Sequence, residues 1–333
     1  ISLTSEQLLQ KAQIIGQDIK ERAIFDADGS ANWIGFSYIA EAERYQLQII
    51  GDNLYDGNLG IAVFLSSLAY VTGSTQYRNL ALEALRSIRK VLHTSNVEYI
   101  QRFVRDTGIG GGVGLGSIIY SLVKISLFIE EESLLKDARR AASLITSEKI
   151  LADRKLDLMH GTSGAILGLL TLYAEIGDQK VLDKAILCGQ HLLKNQISID
   201  NYPKAWQTLK EKPLTGFAHG AAGIIYALLR LYAVTQDKAY LKAACEGIEY
   251  ERLVFFREQN NQPSFRFVAW CHGAPGISLA RLGGLSILET DEILQQVDVT
   301  LQTTEKYGLH EVDFLCCGSF DGIESLLVAA QGL

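Results

Sequence analysis

The sequence predicts an all-α protein, an α/α toroid of about seven inner and seven outer helices, and three observations carry that expectation. Thirty of the 333 residues are glycine, and they recur as Gly-x-x-Gly turns, each leading into an apolar run. The second position of the turn falls at 60, 114, 164, 223, 276 and 321. The steps of 54, 50, 59, 53 and 45 each hold two helices and two connections. Within a pair the first run, GAILGLLTLYA for example, is apolar nearly all round and needs burial on every side. An open solenoid would leave one face of such a helix in water, so closure into a ring is expected.

Taken in order, ISLTSEQLLQKAQIIGQDIKE has the periodicity of an amphipathic helix. Together with WIGFSYIAEAERY it is expected to supply one helical pair that lacks the glycine turn. The turns then follow at Gly57–Gly60, Gly111–Gly114, Gly161–Gly164, Gly220–Gly223 and Gly273–Gly276. The sixth, CCGSFDG, carries Asp321 in the second glycine position. The second helix of a pair is amphipathic, as in TQYRNLALEALRSIRKVLH, QKVLDKAILCGQHLLKNQ and KAYLKAACEGIEYERLV. In a ring all the turns stand at one end. There glycine allows close backbone approach and positive φ, and helix N-termini converge as partial positive charge. In the first two repeats the glycines are read as serving tight turns alone.

Composition narrows the function. A formal net charge of −7 without a Lys/Arg-rich tract argues against nucleic acid or an anionic membrane as main partner. No apolar run reaches the roughly 18 residues of a membrane span. Five cysteines, an odd number, do not suggest a secreted disulfide framework, and the N-terminus reads as a helix rather than a signal peptide. A cytoplasmic protein with reduced thiols is expected, monomeric by default. Four prolines and no Pro/Gly/Ser-rich stretch offer no linker, so residues 1–333 are read as one domain. The chain starts without Met, and an excised domain of a longer protein is expected.

Cys271 stands directly before the fifth turn and Cys316–Cys317 directly before the sixth. Neighbouring turns would bring three thiols to one rim. Three thiolates suit Zn²⁺, and three protein ligands with one open position is its catalytic arrangement. The alternative, thiols packing as small hydrophobes, is read for Cys188 and Cys245 on amphipathic helices. His160, His219 and His272 each precede a motif glycine. They are further metal ligands, acid–base groups, or hydrogen-bonding stiffeners of the rim. His93, His191 and His310 fall outside the motifs and are read as structural. Asp157, three residues before His160, is placed to fix an imidazole tautomer, whereas Asp153 and Arg154 read as loop charges. A glycosidase needs two acids across a sugar bond. Only Asp157 and Asp321 hold motif positions, on a rim crowded with thiols that a glycosidase does not use.

GDNLYDGNLG, LDLMHGTSGAILGLL, AHGAAGI, WCHGAPGI and LCCG resemble the motif series of the lanthionine cyclases, the LanC-like family, from about Trp33 to the C-terminus. WCHGAPG with CCG is more similar to the C-terminal cyclase domain of class II lanthipeptide synthetases (LanM) than to the stand-alone cyclases. The resemblance implies a toroid and a Zn²⁺ held by Cys271, Cys316 and Cys317. It implies proton transfer by His219 and a part for Asp157; on the residues alone His160 and His272 remain alternative proton donors. The family's arginine, four residues before the first zinc cysteine, falls on Phe267 here, and the adjacent Arg266 is the candidate for its role. The implied reaction adds peptide cysteine thiols to dehydroalanine or dehydrobutyrine, closing thioether rings. The substrate would be a dehydrated precursor peptide with its leader, and the partner the synthetase's own dehydratase region. A zinc-stabilised helical scaffold that binds a peptide or thiol without turnover is the alternative.

Overall fold

Thr4 starts the first helix, α1 (Ser5–Glu21), through a capping box: Gln7 N donates to Thr4 Oγ1 at 3.2 Å and Thr4 N donates to Gln7 Oε1 at 2.9 Å. This computed structural model of the chain describes residues 4–39, 43–198, 202–256, 268–308 and 311–332. After α1 come two short antiparallel pairs, β1 (Ile24–Phe25) with β2 (Ala31–Asn32), and β3 (Ile34–Ile39) with β4 (Arg44–Ile49). The second pair corrects the expectation for WIGFSYIAEAERY, which forms no helical partner for α1. Its apolar residues alternate at the strand period of two, and the register sets Ile34 opposite Ile49 and Phe36 opposite Leu47.

The rest is helical: α2 (Asn58–Thr72), α3 (Thr75–Ala84), α4 (Arg86–His93), α5 (Val97–Thr107), α6 (Leu115–Ile129), α7 (Ser133–Ser143), α8 (Ser147–Ala152), α9 (Thr162–Ile176), α10 (Gln179–Lys194), α11 (Ala221–Thr235), α12 (Lys238–Glu251), α13 (Ala274–Gly284), α14 (Asp291–Tyr307) and α15 (Ser319–Gly332). The six motif turns lead into α2, α6, α9, α11, α13 and α15. Two compact units divide the chain. One holds Ile1–Gly108, Gly112–Leu144 and Thr171–Asp178, and the other holds Ile109–Gly111, Ile145–Leu170 and Gln179–Leu333.

In the first unit α2 packs on α3 and α6, and α6 packs on α7. Burial follows the sequence pattern. Helix α6 is buried nearly all round, from Leu115 through Ile118, Ile119, Leu122 and Ile125 to Ile129. Helix α7 buries only the stripe Leu134, Asp137, Ala138, Ala141 and Ala142. In the second unit α11 packs on α12 and α13, and α13 on α14 and α15, with Ala222, Ile277 and Ala280 closing a core flanked by Phe217 and Tyr226. Helix α15 departs from the buried pattern: Phe320, Ile323 and Leu327 are exposed.

Each turn hydrogen-bonds to the next. In the first unit Tyr55 N donates to Gly112 O at 3.1 Å. In the second, Gly111 N donates to Leu158 O at 2.8 Å, Met159 N to Ala218 O at 3.2 Å and Phe217 N to Trp270 O at 3.2 Å. This lacing explains the glycines: a Cβ on Gly164 would lie 2.0 Å from Leu158 O and 2.1 Å from Gly111 N. Gly216, outside the motif, has φ +102°, and a Cβ there would lie 2.5 Å from Cys271 O. The turns approach backbone to backbone, with no room for a side chain between them.

Candidate active site

The turn before α9 is built around two aspartates. Asp153 accepts from Lys155 N at 2.9 Å, Leu156 N at 3.1 Å, Thr162 N at 2.8 Å and Thr162 Oγ1 at 2.5 Å. It therefore closes the loop from 153 to 162 and satisfies amides at the α9 N-terminus, which a plain loop charge would not do. His191 holds the same loop from α10, with Nε2 2.9 Å from Asp153 O. Inside the loop Leu156 is buried at φ +60°, a left-handed conformation costing about 1–2 kcal/mol for a non-glycine residue. That turn places Asp157 with its side chain fully buried.

Asp157 Oδ1 accepts from His160 N at 2.7 Å and Gly161 N at 3.2 Å, while Oδ2 lies 2.7 Å from His219 Nδ1. Burial, the largest influence, pushes the Asp157 carboxyl up. Hydrogen bonds from His160 and His219 together outweigh it, and the carboxyl ends below its ordinary value. An ionised carboxylate only accepts, so the proton between the two groups belongs to His219 Nδ1. His219 Nε2 is then the ring nitrogen that Asp157 does not occupy. The loop before the fourth turn holds the residue by its main chain too, since Thr208 Oγ1 donates to His219 O at 2.5 Å.

The three motif histidines stand in a row. The rings of His160 and His219 stack at 5.4 Å and 14°, and His272 tilts against His219 at 5.7 Å and 40°. His219 is the middle ring and the one bonded to Asp157 through a nitrogen at 2.7 Å; His160 Nδ1 lies 3.8 Å from the same oxygen. The ligand atoms of Asp157, His160 and His219 lie within 4.8 Å of one another, a possible but not sulfur-bearing metal set.

Cys316 lies beside both Cys271 and Cys317, while the set of ligand atoms that all lie within 4.8 Å of one another among the described residues is that of Asp157, His160 and His219. Contact with Cys316, then burial, then the charges of Cys316 and Cys317 push the Cys271 thiol well above its usual value. Burial and the neighbouring Cys316 push Cys317 up. Neighbouring thiolates are stabilised by a soft, thiophilic ion such as Zn²⁺. The chemistry of three thiol donors fits zinc, and Cys271 and Cys316 are half-buried with Cys317 exposed. His272, next to Cys271 in sequence, links the thiols to the histidine row.

Arg266, Phe267 and His310 lie outside the described residues. Cys188 is buried as expected. Cys245 corrects its reading: α12 buries Tyr240, Ala243, Ala244, Gly247 and Ile248, which turns Cys245 to the exposed side. The structural role expected for His93 is met by its contact with Asp137, 2.6 Å from Nε2 to Oδ1.

A family model described as lanthionine synthetase C-like protein matches residues 48–333. The chain belongs to that family. Two curated relatives are "Glutathione S-transferase LANCL1" of Danio rerio and "Lacticin 481/lactococcin biosynthesis protein LcnDR2" of Lactococcus lactis subsp. lactis. The first is 24% identical over 58% of this chain and 50% of its own length. The second is 23% identical over 87% of this chain and 31% of its own length. The chain thus spans half or less of these relatives. A solved nisin cyclase superposes with a TM-score of 0.61 at 20% identity, covering 97% of this chain and 82% of that one. That likeness shows the α/α toroid fold that the LanC-like repeat predicts. An unsaturated glucuronyl hydrolase from Streptococcus agalactiae shares the architecture at a TM-score of 0.55 and 12% identity, over 99% of this chain and 93% of that one. Between these two neighbours the fold does not choose a chemistry, and the site residues have to.

Proposed function

We propose that the protein is a zinc-dependent lanthionine cyclase domain that adds peptide cysteine thiols to dehydroalanine or dehydrobutyrine. The observation that carries this reading is the carboxylate-oriented histidine, Asp157–His219 at 2.7 Å, on the series of turns that also carries Cys271, Cys316 and Cys317. Cys271, Cys316 and Cys317 would hold the ion. Bound there, Zn²⁺ supplies a lowered pKa for an incoming peptide thiol, so that sulfur arrives as thiolate at neutral pH.

The protein's own residues handle the protons. The peptide thiolate attacks the β-carbon of the dehydro residue, the C=C π pair moves toward the carbonyl, and the α-carbon then needs one proton. His219 Nε2 delivers it as general acid, after taking the proton that the thiol gives up, so the histidine ends as it began. Asp157 keeps Nδ1 protonated throughout and stabilises the imidazolium between the two transfers. His160, stacked on His219, and His272, beside Cys271, flank the donor and are assigned to holding it.

A dehydrated precursor peptide with its leader is the proposed substrate, and a dehydratase region of the same synthetase the proposed partner. The relative named for lacticin 481/lactococcin biosynthesis, of which this chain matches 31%, supports that reading. No helix among the described residues is long and apolar enough to cross a membrane.

The test is zinc content measured with ring formation on a dehydrated precursor peptide, free thiols being counted by alkylation and mass spectrometry. One zinc per chain and chelator-sensitive loss of peptide thiols are expected. Zinc without thiol loss would favour a peptide-binding scaffold instead, and a chain without zinc would remove the thiol cluster from the mechanism.

A further inference from the structure

The sixth turn differs from the other five at one position, where Asp321 replaces the second glycine. A glycine-to-aspartate change in a laced turn needs a reason. The side chain is 1% exposed, in the first turn of α15. Its Oδ2 accepts from the backbone N of Trp270 at 3.0 Å, and Trp270 directly precedes Cys271. On its other side Asp321 lies four residues after Cys317 and near enough for its charge to push that thiol up.

The three preceding seams of the same unit are closed by backbone carbonyls, those of Leu158, Ala218 and Trp270. At the fifth-to-sixth seam a side chain performs that task. A side-chain oxygen of Asp321 thereby takes the acceptor place that a backbone carbonyl takes at the other seams. The helices behind these turns, α13 and α15, pack directly, with Ser278 Oγ against Ser325 Oγ. That contact sets the helices, and the turns that carry the thiols need their own tie.

We infer that Asp321 is a positioning residue that ties the Cys271 turn to the Cys316–Cys317 turn and so keeps the three thiols within reach of one cation. Its consequence for metal rests on the zinc reading above; the tie itself does not. Substitution with glycine is the first variant, because five sister turns accept glycine at this position.

Two measurements keep the tie and the zinc reading apart. In metal-free protein, diamide-driven coupling of Cys271 to Cys316 is timed and mapped by mass spectrometry. In metal-loaded protein, zinc affinity is measured by chelator competition, and Co²⁺ is used to record the thiolate charge-transfer band. Asp321→Gly is expected to slow the coupling, weaken zinc about tenfold and alter the Co²⁺ band, with the helical circular dichroism intact. Asp321→Asn keeps a side-chain carbonyl for Trp270 N and is expected to stay close to wild type. If Asp321→Gly fails to fold, Asp321→Ser, one atom short of the native acceptor, is read the same way.

Unchanged coupling in the glycine or serine variant overturns the tie, whatever the metal does. An asparagine variant as impaired as the glycine variant overturns the acceptor role. A wild type that binds no zinc, with coupling still slowed in Asp321→Gly, removes the zinc reading and leaves the tie standing.

Discussion

Asp157 and His219 depend on each other, and the dependence has two measurable consequences. His219→Ala removes the proposed proton donor but none of the thiols. Zinc content should stay at wild-type level while ring closure slows by about 10²–10⁴, the usual worth of a general acid–base group. A variant that closes rings at the wild-type rate would take His219 out of the mechanism. The second consequence concerns pH. The folded Asp157 carboxyl lies below its ordinary value because His160 and His219 donate to it. An acid with a depressed folded pKa stabilises above its unfolded pKa, and that stability is lost as pH falls through the folded pKa. Urea midpoints of the wild type should therefore fall on acidification below the ordinary aspartate range, near 3.9. Asp157→Asn should start lower by about 1–3 kcal/mol and show a flatter acid limb. Equal acid limbs for the two proteins would contradict the assignment.

Among elements, the turns carry more constraint than the helices they start. Gly164→Ala would drive a Cβ into Leu158 O and Gly111 N, both backbone atoms that cannot rotate away. A loss of about 1–3 kcal/mol is expected from such overpacking, measured as a shift in the denaturation midpoint. The buried pair behind the fourth turn predicts a larger effect. Arg281 Nη2 lies 2.8 Å from Glu251 Oε2, its Nε donates to Gln296 Oε1 at 2.9 Å, and Glu251 Oε1 accepts from Gly216 N at 3.4 Å. Arg281→Met strands a buried carboxylate and should cost about 3–5 kcal/mol, much of it regained when Glu251→Leu is added. Additive losses in the double variant would show that the two do not act as a pair.

These elements also show what could be read from sequence. The glycine turns and their period were legible because backbone-to-backbone approach admits no other residue at positions such as Gly164. The thiols and His219 were legible through their fixed offset from those glycines. The β3–β4 hairpin was not, although Ile34 and Phe36, then Tyr45, Leu47 and Ile49, alternate at the strand period. The surrounding helical repeat outweighed that local pattern. Asp153 was missed because its work is accepting backbone amides, which leaves no trace in periodicity. Asp321 was visible as a departure, and its acceptor role emerged only when the fold brought Trp270 N to it.

At the scale of the whole molecule the question is whether the proposed metal would serve chemistry or hold the chain together. The second unit has an apolar core of its own, with α11 and α13 joined through Ala222, Ile277 and Ala280, each fully buried. Its helices are therefore expected to form without an ion at the rim. Ligand that binds only the folded state still adds RT ln(1 + [L]/Kd), about 2.7 kcal/mol at a hundredfold excess over Kd. Chelation should thus lower the thermal midpoint and abolish ring closure, while the far-ultraviolet circular dichroism at room temperature keeps its helical form. Re-adding zinc should restore the midpoint and the activity together. A chain that loses its helices on chelation would instead identify the thiol cluster as a closed structural site, because a catalytic ion held at an open rim by three ligands is not what a core of this size folds around.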